Sequence, residues 1–156
     1  MPANPKEQYK RIQKAASVML LDEPFYALLL LRLQIQHDPA VPTFCTDGKS
    51  IRFNADWCAT LTEKQIVTVL GEEIIHNAAG HLFRAPAGAD WKTWNLACDQ
   101  EARWVMQEVN DTLAARNLGP RFPWPKPEVA GAIQLLARMR SPIASLRLVT
   151  LSLIHI

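Results

Sequence analysis

Apolar residues recur at three- and four-residue steps through several stretches of the chain, and polar residues punctuate them. Over 62–81, Ile66, Val69, Leu70 and Ile74 make a stripe that predicts a half-buried helix. Thr62-Glu-Lys-Gln65 fits a capping box at its start, and Gly80 suits its stop. Upstream, Lys6 to Leu20 carries Ile12, Ala15, Ala16 and Met19 on one side and reads as a helix ended by Asp22-Glu23-Pro24. Pro24 suits the first turn of a second helix. From Phe25 to about Gln36 the pattern is strongly apolar and predicts a buried helix, with His37 as a surface or capping residue after it.

The pattern then changes. Asp38-Pro39 and Val41-Pro42 break the helix, and Thr43 to Thr46 and Ser50 to Phe53 flank Asp47-Gly48, a β-hairpin signal. Asn54 or Asp56 begins a helical turn through Trp57. Arg84 to Asp90, rich in Ala, Gly and Pro, reads as a loop. Trp91 to about Asn117 follows as a second long helix, with Trp94, Ala97, Cys98, Val105 and Leu113 on its apolar side. Gly119 to Pro127 is a stiff, proline-rich connection, and Glu128 to Arg140 predicts one more helix. Leu146 to Ile156 alternates like an edge strand, yet Leu151-Ser-Leu-Ile-His-Ile156 resembles the translated end of a transposase sequencing adapter. On that reading residues 1–150 form the domain and 151–156 are a non-native tail. The natural sequence then continues differently beyond about Thr150, and His155 has no role.

Composition narrows the classes. At 156 residues the chain is about one domain's worth. A formal charge of +2 without a Lys/Arg cluster asks for neither nucleic acid nor an anionic membrane. Cys45, Cys58 and Cys98 are odd in number and lack a CxxC pair, which points to a reducing, cytoplasmic setting. The apolar run Phe25 to Leu31 is too short to span a bilayer, and the N-terminus lacks the order of a signal peptide.

The chemistry concentrates in Leu70-Gly-Glu72-Glu73-Ile-Ile-His76-Asn-Ala-Ala-Gly80-His81. In HExxH, two His at i and i+4 share a helix face and hold a metal, and the Glu beside the first activates a water. Here Glu72 stands in the first position, Glu73 in the general-base position, and His76 four residues after Glu72. A Glu carboxylate is an admissible zinc ligand. On an unbroken helix His81 would point about 140° from His76, so only a break near Gly80 turns it back. The same residues also read blandly: Glu72 and Glu73 as solvated helix charges, His76 as a hydrogen-bonded histidine, and Trp94, Asn95 and Asp99 as a lock between helices. Glu73-Ile-Ile-His76 matches half of a carboxylate di-iron pattern, but the sequence has no second copy.

Together, Thr46-Asp-Gly-Lys-Ser-Ile-Arg-Phe-Asn54, Leu61-Thr62, the Glu72–His81 block, Arg84 and Trp94-Asn-Leu-Ala-Cys-Asp99 resemble the metallopeptidase domain of bacterial and phage VWA-like proteins, over about residues 24–125. The resemblance implies an α+β, mainly helical fold: a zincin-like pair of core helices, a small β-hairpin sheet and N-terminal helices packed around them. It implies Glu73 as general base, His76 as metal ligand, and Asp99 as a further ligand with His81 competing for that place. Zinc is the implied cofactor, a peptide or protein the substrate or partner, and an AAA-type ATPase a possible companion. Two residues depart from the family pattern: Glu72 replaces the first His, and Arg103 stands where an Asn is usual. A Glu/His/Asp set carries more negative charge than His₂Glu, and would hold a cation but leave it a weaker Lewis acid. The alternative function is a catalytically inactive module of the same shape that binds a protein or peptide.

Overall fold

The computed structural model describes residues 1–123. Among these the chain runs α1 (Pro5–Asp22), α2 (Pro24–Leu30), β1 (Gln34–His37), β2 (Phe44–Thr46), β3 (Ser50–Phe53), α3 (Ala55–Ala59), α4 (Glu63–Ala78) and α5 (Trp91–Ala114). The fold is α+β and mostly helical, as expected. The helix expected over 128–140, and the strand or adapter tail over 146–156, lie outside the described residues.

Helix α4 is the centre, with α1, α2, α5 and β2 packed on it. Its start is fixed by the capping box: Gln65 N donates to Thr62 Oγ1 at 3.3 Å, and Thr62 N donates to Gln65 Oε1 at 2.8 Å, which pairs amides the helix cannot pair itself. Ile66, Leu70 and Ile74 are fully buried and join Ile12, Met19, Tyr26, Ile51, Phe53 and Met106 in one core. Arg11 ties α1 to the α3–α4 connection, donating to the carbonyls of Cys58 and Leu61. Asn54 begins α3, its side chain accepting from Trp57 N at 3.0 Å.

The hairpin forms as the sequence predicts, with β2 and β3 antiparallel in the register Phe44↔Phe53 and Thr46↔Ile51. Gly48 supplies the positive φ of 88° that its loop needs. Asp47 accepts from Lys49 N, Ser50 N and Ser50 Oγ, and these bonds hold its carboxyl down at about 2. Thr46 joins the side chain of Asn77 on α4, with Asn77 Nδ2 donating at 2.9 Å. The hairpin is thereby anchored beside the last turns of α4.

One expected element is corrected. The helix predicted from Phe25 to Gln36 ends at Leu30, and Gln34–His37 instead forms β1, parallel to β3 with Gln34 opposite Ser50. The sheet order is β1-β3-β2. Leu33-Gln-Ile-Gln-His37 alternates with period two, a strand signal overshadowed by the leucines before it. Those leucines are not all core: Leu28 and Leu31 are 60% and 68% exposed, and α2 is buried only through Tyr26, Ala27 and Leu30. His37 is exposed, as expected, with its ring on Phe53.

Behind α4, the chain after α5 returns to the core. Asn110 accepts from Arg121 N and Phe122 N and donates to Phe122 O at 2.8 Å. Phe122 is fully buried, edge-on to Tyr26 at 5.4 Å, and lies on Gly71. A Cβ on Gly71 would stand 2.9 Å from the Phe122 ring, so the glycine before Glu72 is required by this contact.

Candidate metal centre

Glu72, Glu73 and His76 come from α4 and Asp99 from α5, and all four line one cavity of about 570 Å³. Phe44, Trp57, Leu61 and Val69 give the cavity an apolar wall, and β2 forms part of its rim. One donor atom from each of Glu72, His76 and Asp99 lies within 4.8 Å of the other two. His76 Nε2 stands 3.3 Å from Asp99 Oδ1. Donors about 2.0–2.2 Å from a tetrahedral zinc ion are roughly 3.4 Å apart, so this pair already has the separation such an ion requires.

His81 is placed by the end of α4. Gly80 takes φ 66°, Gly80 N donates to Asn77 O, and His81 N donates to His76 O at 3.0 Å, which is the Schellman arrangement. The break near Gly80 does turn His81 back. Its ring meets His76 edge-on with centroids 4.9 Å apart and Nδ1 atoms 3.1 Å apart. It therefore lies on the side of His76 away from Asp99, outside the Glu72–His76–Asp99 donor group. Trp94 Nε1 donates to His81 O at 2.9 Å, so Trp94 supports this turn. Asn95 lies alongside Asp99, its Nδ2 3.3 Å from Oδ2.

One neighbour, Glu101, escaped the sequence reading, as did the contact that Arg103 makes. Glu101 Oε2 is 3.4 Å from His81 Nε2, with Arg84 Nη1 3.9 Å from Oε1. Arg103 Nε is 3.6 Å from Glu72 Oε1, and the departure at position 103 thus faces the departure at position 72. A signal for Glu101 was present, because Ala97, Cys98, Glu101, Ala102 and Val105 share one helical stripe, and a carboxylate in such a stripe needs a partner.

The carboxylates are electrostatically crowded. Burial, then the charge of Asp99, raises Glu72 to about 7, with Arg103 opposing. Burial raises Glu73 to about 7 as well, against the opposing pull of His76. At His76 burial favours the neutral ring, but the bond to Asp99 and the charges of Glu73 and Glu72 outweigh it and raise the pKa. A divalent ion held by Glu72, His76 and Asp99 would relieve this crowding, so the donor set fits a metal.

A pH dependence follows. The ordinary value for these carboxyls is 4.5, so between about 4.5 and 7 the folded protein holds more protons than the unfolded chain. The metal-free protein should therefore lose stability as pH rises through that window, by at most about 3 kcal/mol per group at 1.36 kcal/mol per unit. Urea unfolding midpoints should be lower at pH 8 than at pH 5. Zinc competes with these protons, so its stabilising effect should grow over the same range.

A half-open acidic cavity, lined by an i, i+4 carboxylate–histidine pair and an acid from the next helix, fits the class of metallopeptidase-like domains. Residues 7–138 match the family described as "putative metallopeptidase domain", and the chain belongs to that family. The match begins within α1 and passes through the whole motif-bearing stretch. No curated protein and no solved structure matches the chain. Among the described residues no helix is long and apolar enough to cross a membrane.

Proposed function

We propose that the protein is a zinc-dependent, peptidase-like hydrolase in which Glu72, His76 and Asp99 hold the ion and Glu73 is the general base. The convergence of those three donors within 4.8 Å carries this reading. A bound divalent ion would acidify water and polarise a peptide carbonyl. Glu73 is buried beside the donors, lines the same cavity and has a pKa raised to about 7, which suits a residue that must take a proton near neutral pH. A peptide would lie along β2, an edge strand of the sheet that lines the cavity, and pair with its outer backbone groups.

The contact between Arg103 and Glu72 favours a second reading, because the guanidinium already balances a carboxylate that a metal would otherwise neutralise. On it the domain is a catalytically inactive binder of a protein or peptide. The resemblance to VWA-like proteins supplies an AAA-type ATPase as the partner to test. The three free cysteines support a cytoplasmic setting.

Glu72→His separates the two. On the hydrolase reading the parent cleaves peptides in the presence of zinc, and the variant retains that activity. If the variant gains zinc affinity together with a hydrolysis the parent lacks, the parent is the binding module.

A further inference from the structure

His76 and His81 form the middle of a chain between two carboxylates: Asp99 Oδ1 to His76 Nε2 at 3.3 Å, His76 Nδ1 to His81 Nδ1 at 3.1 Å, and His81 Nε2 to Glu101 Oε2 at 3.4 Å. Each of these three contacts needs a hydrogen or a cation between its atoms. A metal ligand must be a neutral imidazole, and two neutral imidazoles bring only two hydrogens, whereas a protonated His76 would bring the third. One contact must therefore be bridged by something else, and only two ordered arrangements leave the middle contact bonded.

In the first, His81 Nε2–H points to Glu101, a contact that is within ion-pair distance but not aligned as a hydrogen bond in this structure and that a small turn of the carboxyl completes; His81 Nδ1 accepts from His76 Nδ1–H, and the lone pair of His76 Nε2 faces Asp99. In the second all hydrogens are reversed, Asp99 is satisfied, and the lone pair of His81 Nε2 faces Glu101. The burial of the two ends decides between them. His81 is 2% exposed and Glu101 8%, so two facing acceptors there would have no water to separate them. Asp99 opens on the cavity, where an ion or water can enter. The backbone of His81 is fixed, its N–H bonded to His76 O and its carbonyl accepting from Trp94, and the ring itself is closed in by burial.

We infer that His81 and Glu101 are positioning residues that fix the hydrogen of His76 on Nδ1, so that Nε2 is offered as a lone pair beside Glu72 and Asp99. His81 thus serves His76 from behind. The inference builds on the proposed metal site, but the hydrogen placement can be read without any metal.

The test is nitrogen-15 histidine NMR of the metal-stripped chain at pH 8, with assignments from single His→Gln variants. His76 should be in the Nδ1–H form and His81 in the Nε2–H form. Glu101→Met, which removes the acceptor, should abolish that single pattern and weaken zinc binding by about 10- to 100-fold, the range for loss of a partner that orients a ligand. Finding His76 as the Nε2–H form would overturn the inference, as would a Glu101→Met protein with the parent's pattern and zinc affinity. The parent spectrum decides even if the variant does not fold. A parent that binds no zinc but shows the expected forms would sink the metal proposal and leave this inference standing.

Discussion

Glu73→Gln is expected to lower zinc-dependent peptide hydrolysis by about 10²- to 10⁴-fold, the contribution of a positioned general base, while zinc content stays near that of the parent. The separation is possible because Glu73 lies beside the donor group without belonging to it. Glutamine keeps the shape and the hydrogen-bonding capacity of the side chain but cannot take a proton at neutral pH. Equal loss of zinc and activity would instead make Glu73 a ligand. Unchanged activity would remove it from the chemistry altogether.

The largest stability effect should come from Phe122→Ala, at about 3–5 kcal/mol. Phe122 is fully buried, and its ring fills the space that Gly71 leaves open and packs edge-on against Tyr26. Alanine would leave a void directly behind the residue that precedes Glu72. Enlarging Gly71 to Ala in the parent clashes with the Phe122 ring and should destabilise it, whereas in the Phe122→Ala background the added methyl enters the void and should recover part of the loss. Denaturant unfolding of the two single variants and the double variant checks this, with the double variant expected to be more stable than the sum of the singles predicts.

Most of the framework was legible because local rules and tertiary packing agree. The capping box at Thr62, the Asp47-Gly48 hairpin and the break at Gly80 each depend on residues within a few positions of one another. Strand β1 was missed because its pairing is remote: Gln34–His37 is a strand only through its register with Ser50–Phe53. The leucine run before it extended the helical pattern beyond its true end. At the site, Glu72, Glu73 and His76 follow from helical spacing, whereas Asp99 came from the family resemblance. The contacts of Arg103 with Glu72 and of Glu101 with His81 depend on how α5 packs against α4, which spacing along either helix does not specify. Asn110 and Phe122 escaped for a related reason. Their importance comes from the chain's return to the core after α5, through bonds that join positions 110 and 121–122.

The central claim is that Glu72, His76 and Asp99 hold a metal ion. Zinc titration of the chelator-stripped protein, purified without a metal-affinity tag and set beside His76→Ala, tests it most directly. The account predicts near-stoichiometric binding in the parent and its loss in the variant; absence of binding in both, or equal binding in both, would contradict it.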